Sequence, residues 1–457
     1  MPQATRDELA RFLAASPQLR FIDLLLHDLN GVDRGKRVDV GSAAGTFATG
    51  LLLPGSMFAI DVAGHTVQET GFGFDEGDAD RPCLPVDGTL VHVPWLDHGV
   101  AQAQICMHER DGRPFAGDPR HALARMLKRF EPLGLTPVVA IELEFYLIDR
   151  ELTGAGLPQP PRAPQTGRRE YRTQINSMLD LDQYSAVLAG IDSACRAQAV
   201  PSTMALAEYG PGQFEVNLQH GDDALRVCDE AMRFRRIVKC VARHHGMDAT
   251  FLSKPYPDMA GSGLHVHVSL NDAQGHNVFA SDAPLGSMAM QHAAAGLLDT
   301  MAEGMAIFAP LANSWRRLRP AAYVPLTADW SVNNRGAALR VPVSDAVNRR
   351  LEHRVAGAEA NPYLVMTWLL GGILKGLSEG LAPRAPLEGN AYDARAAGEP
   401  LPRYWPVALD RLEHSQFARE VLGSELHRLF ALVKRHELDE FNALVTPQEC
   451  ALYLPAL

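Results

Sequence analysis

The chain lacks the features that would assign it to a membrane, an oxidising compartment or nucleic acid. Its six cysteines in 457 residues form no C-x-x-C pair, which favours reduced thiols in a cytoplasmic protein. The most apolar window, residues 363–374, is too short and too rich in glycine to span a bilayer. The first twelve residues show no signal-peptide pattern. Because no segment is able to span a bilayer, we expect no membrane partner. Because the formal charge of −11 repels a phosphate backbone, we expect no nucleic-acid partner.

Several common catalytic signatures are also missing. The sequence has no G-x-x-x-x-G-K-[ST] loop, no G-x-S-x-G elbow and no H-E-x-x-H pair. The glycines of residues 71–77 have the wrong spacing for a dinucleotide loop. These absences disfavour a P-loop kinase, a serine hydrolase, a zincin and a dehydrogenase.

What is present indicates a soluble globular chain in two parts. Asn30 and Gly31 separate two strand-like runs and predict a hairpin. Residues 111–114 form a break, after which Asp118 is a good N-cap and Pro119 a good first helical residue. We therefore expect domains at 1–115 and 116–457. The predicted helices of the second domain are 118–133, 182–199, 222–245, 285–308, 361–380 and 421–437.

Five strand-like segments place reactive side chains on one face. Side chains alternate along a strand, so apolar residues at every second position leave the others on the opposite face. One such strand is typical of any half-exposed sheet, but five that present Glu, His and Arg together predict a chemically active concave surface. The segments are 141–148 (Glu142, Glu144), 213–219 (Glu215), 264–270 (His265, His267, Ser269), 339–341 (Arg340) and 351–355 (Glu352, Arg354).

These residue types favour metal-assisted phosphoryl transfer. Clustered carboxylates repel one another and need a counter-charge. Oxygen ligands with one imidazole suit Mg²⁺ or Mn²⁺, and arginines bind phosphate or carboxylate groups in forked geometry. Metal ions and arginines together supply the positioning and charge neutralisation that phosphoryl transfer requires. Composition alone leaves the substrate open.

Seven motifs, in their order along the chain, resemble the glutamine synthetase superfamily. Each is moderately specific, but seven in order with family-like gaps, over nearly the whole chain, are very specific. The pattern is most similar to that of γ-glutamylpolyamine and γ-glutamyl-amine synthetases. The motifs are IELEF (141–145), EYGPGQFE (208–215), TFLSKP (250–255), GSGLHVH (261–267), NSWRRL (313–318), NRGAALRVP (334–342) and LEHR (351–354).

The resemblance implies an α+β fold and an activity. The expected architecture is a small N-terminal β-grasp domain plus a large catalytic domain, whose curved antiparallel sheet forms a half-barrel backed by helices. The expected reaction is ATP-dependent formation of a γ-glutamyl amide from glutamate and an amine, with two or more Mg²⁺ or Mn²⁺ ions per site. The expected assembly is a homo-oligomer of stacked rings, a dodecamer, with each active site between neighbouring subunits.

The same resemblance implies roles for single residues. One metal is expected at Glu144, Glu208 and Glu215, and a second at Glu142, His265 and Glu352. The ATP phosphates are expected near His267, Ser269, Arg335 and Arg340, and glutamate near Gly261, Arg317 and Arg354. Arg335 is also expected to act in catalysis, as is Asp61, which resembles the aspartate that a neighbouring subunit offers to the incoming nitrogen.

One position departs from the pattern of ammonia-using members. Tyr323 stands where those relatives carry a glutamate that closes the ammonium site. A neutral phenol neither attracts ammonium as a carboxylate does nor takes its proton near neutral pH. We therefore expect Tyr323, with Trp330 nearby, to line a site for an organic amine, either a polyamine or a monoamine. An ammonia-using glutamine synthetase and a non-catalytic structural or regulatory member remain the alternatives.

Overall fold

The computed structural model describes residues 4, 6–320, 322–393 and 398–457. Its strands are β1 (Phe21–His27), β2 (Asp33–Asp39), β3 (Leu51–Pro54), β4 (Asp80–Pro85), β5 (Val91–His92), β6 (Val100–Met107), β7 (Thr136–Ile148), β8 (Ser202–Ala207), β9 (Gln213–Leu218), β10 (Asp248–Thr250), β11 (Leu264–Asn271), β12 (Thr327–Ala328), β13 (Trp330–Val332), β14 (Leu339–Val341), β15 (Leu351–His353) and β16 (Glu399–Pro400). Its helices are α1 (Arg6–Ala15), α2 (Val40–Thr49), α3 (Pro119–Lys128), α4 (Met178–Gln183), α5 (Ser185–Ala197), α6 (Ala224–His244), α7 (Met288–Met301), α8 (Met305–Phe308), α9 (Pro362–Glu379), α10 (Trp405–His414), α11 (Gln416–Leu422), α12 (Ser424–Asn442) and α13 (Pro447–Tyr453).

All six predicted helices of the second domain have counterparts, and four of them differ from the prediction. The segment predicted at 182–199 covers the end of α4 and all of α5, and the segment predicted at 421–437 covers the end of α11 and most of α12. The segment predicted at 118–133 begins as expected, with Asp118 accepting from Arg120 N at 2.9 Å, but α3 ends at Lys128. The segment predicted at 285–308 divides into α7 and α8. All six cysteines are free thiols, as expected. Among the described residues, no helix is long and apolar enough to cross a membrane.

The first sheet lies within residues 21–107 and has the order β2-β1-β6-β4-β3, with β5 paired to β6. The predicted hairpin at Asn30 and Gly31 is confirmed: β1 and β2 pair antiparallel, from Phe21 opposite Asp39 to His27 opposite Asp33. Strand β6 runs parallel to β1 and brings the second half of the sheet alongside the hairpin. The β-grasp assignment and the boundary near residue 115 stay predictions.

The second sheet carries the strands with reactive faces, in the order β13-β14-β15-β11-β7-β9-β8, with β10 paired to β7. Its pairs are antiparallel except β13 with β14, which run parallel. The apolar sides of β7 and β11 belong to the main hydrophobic core, and α6 packs against β7. The predicted α+β architecture, a sheet backed by helices, is confirmed.

Candidate functional site

The reactive side chains meet because of strand register. Glu142 on β7 lies opposite His265 on β11, and Glu144 on β7 lies opposite Glu215 on β9. On the other side of β11, His267 lies opposite Glu352 of β15. Residues directly opposite in an antiparallel pair point to the same face. The strand pairing therefore gathers the predicted carboxylates and histidines on one surface.

One cluster consists of Glu142, His265 and Glu352, whose ligand atoms all lie within 4.8 Å of one another. His265 Nδ1 lies 3.3 Å from Glu142 Oε2, and His267 Nε2 lies 2.7 Å from Glu142 Oε1. Burial would raise the pKa of Glu142, but the hydrogen bonds to these two histidines hold the pKa well below its usual range. Glu142 is therefore a carboxylate, ready to accept a cation.

The second cluster consists of Glu144, Glu215 and His265, also within 4.8 Å. Burial and the charge of Glu208 raise the pKa of Glu144 to about 8. Burial and the charges of Glu142, Glu144 and Glu208 raise the pKa of Glu215 to about 9. Carboxylates crowded in this way lack sufficient counter-charge. A divalent cation would supply it, so this donor set fits Mg²⁺ or Mn²⁺.

Glu208 lies just after β8 and outside both clusters of ligand atoms. It is close enough to Glu144 to raise the pKa of that carboxyl, and the charge of Arg335 partly offsets the effect of burial on Glu208 itself. The structure thus brings five of the six predicted ligands into two clusters that share His265, with Glu208 beside them. The ligand roles stay predictions.

Two arginines pair with Glu352, one at each carboxylate oxygen. Arg340 Nη1 donates to Glu352 Oε2 at 2.6 Å, and Arg354 Nη1 donates to Oε1. Burial would raise the pKa of Glu352, but the charge of Arg354, together with that of Arg340, lowers it. Burial and the same Arg354 lower the pKa of His265 to about 4. His265 is therefore a neutral imidazole, which is the form that binds metal ions.

Arg317 and Gly261 are in close contact, as their shared expected role requires. A Cβ at Gly261 would lie 2.7 Å from Ser253 O and 2.8 Å from Arg317 Cγ, so only glycine fits. The Arg317 guanidinium donates to Val355 O at 2.8 Å, and a Cβ at Gly263 would meet its Nη2 at 2.8 Å. Arg317 thus lies at the start of β11, beside the metal-binding face.

His267 and two residues that the sequence analysis did not single out extend the polar surface. Arg350 Nε donates to His267 Nδ1 at 3.2 Å, so the imidazole proton lies on Nε2 and points to Glu142. Asn217 Nδ2 donates to Glu142 Oε1 at 3.1 Å. Asn217 follows Glu215 by two positions and Arg350 precedes Glu352 by two. Strand alternation alone could have found them. Ser269 follows His267 on the same face of β11.

Tyr323 and Arg335 line one open cleft of about 780 Å³. Tyr323 is 68% exposed and has a φ of 51°, which is unusual for a residue with a side chain. Tyr392 holds the neighbouring backbone, since its hydroxyl donates to Val324 O at 3.2 Å. The expectation that Trp330 lines the same space is wrong. Trp330 is 2% exposed on β13, and its Nε1 donates to Arg384 O at 2.7 Å.

Asp61 lies in a tight loop that packs on α12. Its Oδ1 accepts from His65 N at 2.8 Å, and its Oδ2 lies 4.0 Å from His436 Nε2. The next residue, Val62, donates its N–H to Glu437 Oε1 at 2.8 Å. The structure therefore does not bring Asp61 into the clusters of its own chain.

Behind this loop, α12 presents a buried ion pair. Lys434 is 0% exposed, and its Nζ donates to Glu437 Oε2 at 2.8 Å. Both residues also bind the hairpin turn: Asn30 Nδ2 donates to Glu437 Oε1 at 2.9 Å, and Lys434 Nζ donates to Asn30 Oδ1. The pair thus joins the hairpin turn and the Asp61 loop to α12.

Comparisons with known proteins agree with this geometry. The chain is 41% identical to gamma-glutamylputrescine synthetase PuuA of Escherichia coli (strain K12) over 98% of this chain and 94% of that protein. It is 31% identical to a glutamate–isopropylamine ligase of a Pseudomonas species, over 93% of each chain. The solved structure of GmaS in complex with ADP matches with a TM-score of 0.85 and 28% identity, over 98% of this chain and 99% of that one.

These relatives are named as synthetases and ligases, and the chain is an enzyme of the ligase class, as the sequence predicted. The model of the glutamine synthetase catalytic domain matches residues 116–453. The chain belongs to the glutamine synthetase family, so the resemblance drawn from the seven motifs is confirmed.

Proposed function

We propose that the protein is an ATP-dependent ligase that joins the γ-carboxylate of glutamate to an organic amine by way of γ-glutamyl phosphate. The observation that carries the proposal is the pair of carboxylate–histidine clusters sharing His265, flanked by Arg317, Arg340 and Arg354. The relatives at 41% and 31% identity, which are named for glutamate-derived amides of putrescine and isopropylamine, support this substrate class.

The donor set fits two divalent cations. Glu142, His265 and Glu352 would hold one ion, and Glu144 and Glu215, with Glu208 beside them, would hold the other. When bound, Mg²⁺ or Mn²⁺ supplies positive charge for the transferring phosphoryl group. The raised pKa values of Glu144 and Glu215 support the assignment. They result from burial and from neighbouring carboxylates whose negative charge is not balanced by nearby positive charge.

The arginines would bind and orient the substrates. Arg317 and Arg354, with Gly261, would hold glutamate, because two guanidinium groups can pair with carboxylate in forked geometry. His267, Ser269, Arg335 and Arg340 would face the ATP phosphates. The γ-carboxylate oxygen of glutamate then attacks the γ-phosphorus of ATP. The bond from that phosphorus to the bridging oxygen breaks, and ADP leaves.

In the second step the amine nitrogen attacks the γ-carbonyl carbon. The bond from that carbon to the oxygen bridging it to phosphorus breaks, and phosphate leaves with this bridging oxygen. A base must take the amine proton, and Asp61 of a neighbouring copy is our candidate. Because Asp61 packs on α12 of its own chain, this role requires a homo-oligomer, which we propose to be a dodecamer of stacked rings. Light scattering should give about twelve times the chain mass.

Tyr323 supports an organic amine over ammonia, because a phenol in the cleft beside Arg335 offers no anionic site for ammonium. The test is phosphate release with ATP, glutamate and Mg²⁺ or Mn²⁺, across ammonia, monoamines and polyamines. A kcat/KM for an organic amine at least about tenfold above that for ammonia supports the proposal. Preference for ammonia would make the protein a glutamine synthetase, and no ADP release with any donor would make it non-catalytic.

A further inference from the structure

A carboxylate that the motif comparison did not single out lies behind the expected glutamate-binding arginine. Glu359 lies between β15 and α9. The Ser253 hydroxyl donates to Glu359 Oε2 at 2.6 Å, and the Ser314 hydroxyl donates to Oε1. The two serines are 0% and 2% exposed and belong to segments far from Glu359 and from each other along the chain. Both carboxylate oxygens are therefore used to join three segments.

The joined segments are those that form the expected glutamate pocket. Ser253 O accepts from Ser262 N at 2.9 Å, immediately after Gly261. Ser314 O accepts from Arg317 N at 3.1 Å. The segment that contains Glu359 binds the same backbone, because Ala358 N donates to Ser262 O at 3.1 Å. Ser253 and Ser314 therefore each make two contacts. The side-chain hydroxyl donates to Glu359, and the backbone carbonyl accepts from a backbone N–H of the expected glutamate pocket.

Gly357 leaves the space that the contact between Ser253 and Glu359 occupies. A Cβ at Gly357 would lie 2.0 Å from Ser253 Oγ and 2.9 Å from Glu359 Oε2. The glycine therefore allows the carboxylate to fold back over its own segment and reach the serine. This close approach indicates a built position and not a side chain lying freely on the surface.

Glu359 also supplies negative charge to two buried arginines. Burial lowers the pKa of Arg317, and the charges of Glu144 and then Glu359 raise it. Burial lowers the pKa of Arg235 to about 10, and Glu359 is the leading opposing charge. Arg235 Nη2 in turn donates to Ala358 O and Ala360 O, both at 2.6 Å, on either side of Glu359. The carboxylate thus acts on the pocket through both position and charge.

We propose that Glu359 is a positioning residue that fixes Arg317 and the Gly261 backbone for binding of the glutamate substrate. This inference rests on the proposed function. The position and charge of Arg317 determine how well it pairs with a substrate carboxylate. Loss of Glu359 should therefore weaken binding of glutamate far more than it changes ATP binding or the turnover of bound substrates.

The experiment compares Glu359→Gln, which keeps the shape and loses the charge, with a Ser253→Ala/Ser314→Ala double variant, which keeps the charge and loses both donors. The full-length protein is assayed for ADP formation with each substrate varied in turn. We expect KM for glutamate to rise roughly tenfold in each variant, with kcat and KM for ATP and amine within about threefold. Glu379→Gln, at an exposed pair with Lys375, is the matched control and should match the wild type.

The inference is overturned if Glu359→Gln folds normally and leaves KM for glutamate unchanged. It is also overturned if all KM values and kcat change together with the melting temperature, because that pattern indicates a general structural role. If a variant fails to fold, Glu359→Asp, which keeps the charge with a shorter reach, replaces it under the same criteria. Failure of the proposed function looks different: the wild type itself would then form no γ-glutamyl amide from glutamate and any amine.

Discussion

Binding of Mg²⁺ or Mn²⁺ should release protons from the second carboxylate cluster. The pKa values of Glu144 and Glu215 are raised to about 8 and about 9, so both carboxyls are largely protonated near neutral pH in the metal-free protein. A metal ligand must be deprotonated. From these values, binding releases about two protons at pH 7 and fewer at pH 9.

The release has a free-energy consequence. Removing the two protons at pH 7 opposes binding by about 4 kcal/mol, at about 1.4 kcal/mol for each unit between pH and pKa. Metal affinity should therefore strengthen steeply as pH rises from 7 towards 9. The cluster of Glu142 and Glu352 contributes no such dependence, because the pKa values of these two carboxyls are lowered.

Isothermal titration calorimetry checks this in two buffers of different ionisation enthalpy, with the metal-free protein at pH 7 and pH 9. The difference in apparent heat between buffers gives the number of protons released. Glu215→Gln should lower the number at pH 7 by about one. Metal binding with no proton release at pH 7, or with release that does not fall by pH 9, would refute the reasoning.

Three further outcomes are expected. First, because the raised pKa values of Glu144 and Glu215 favour the folded state only while these carboxyls are protonated, the free energy of unfolding of the metal-free protein should fall by on the order of 4 kcal/mol between pH 6.5 and 8.5. Urea denaturation checks this, and saturating metal should remove the fall. Second, Tyr323→Glu should raise kcat/KM for ammonia relative to an organic amine by about tenfold in the phosphate-release assay, and an unchanged ratio would reject its proposed role. Third, Lys434→Ala should cost about 3–5 kcal/mol in the same denaturation experiment, because Glu437 stays buried without its partner. Lys375→Ala, at an exposed pair, should cost less than about 1 kcal/mol.

The sequence was sufficient to predict the reactive face of the large sheet, because strand alternation is a local property. Once residues 141–148 and 264–270 are taken as strands, Glu142 and His265 must each leave the apolar face. The motifs then supplied what alternation cannot, namely that these strands are neighbours. The structure confirms the pairing of Glu142 with His265 and of Glu144 with Glu215.

What could not be predicted depends on contacts between segments distant in the chain. Trp330 lies close to Tyr323 in sequence, but its strand turns the indole into the core towards Arg384. Glu359 follows no strand pattern, and its partners Ser253 and Ser314 are 106 and 45 residues away. The spacing of residues along the chain does not indicate which distant segments meet in space. The contacts of Glu359 with Ser253 and Ser314 were therefore found only in the folded chain.

The ion pair of Lys434 and Glu437 has a consequence for synthesis of the chain. Asn30 and Val62 leave the ribosome early, but their partners on α12 lie 404 and 375 residues later. At about 5–20 residues per second, the hairpin turn waits on the order of 20–80 s for its buried partners. The strands of the N-terminal sheet can pair in that time. The contacts of Asn30 and Val62 with α12 form only after residues 424–442 have been synthesised. A chain cut before α12 would therefore lack the partners of both Asn30 and Val62.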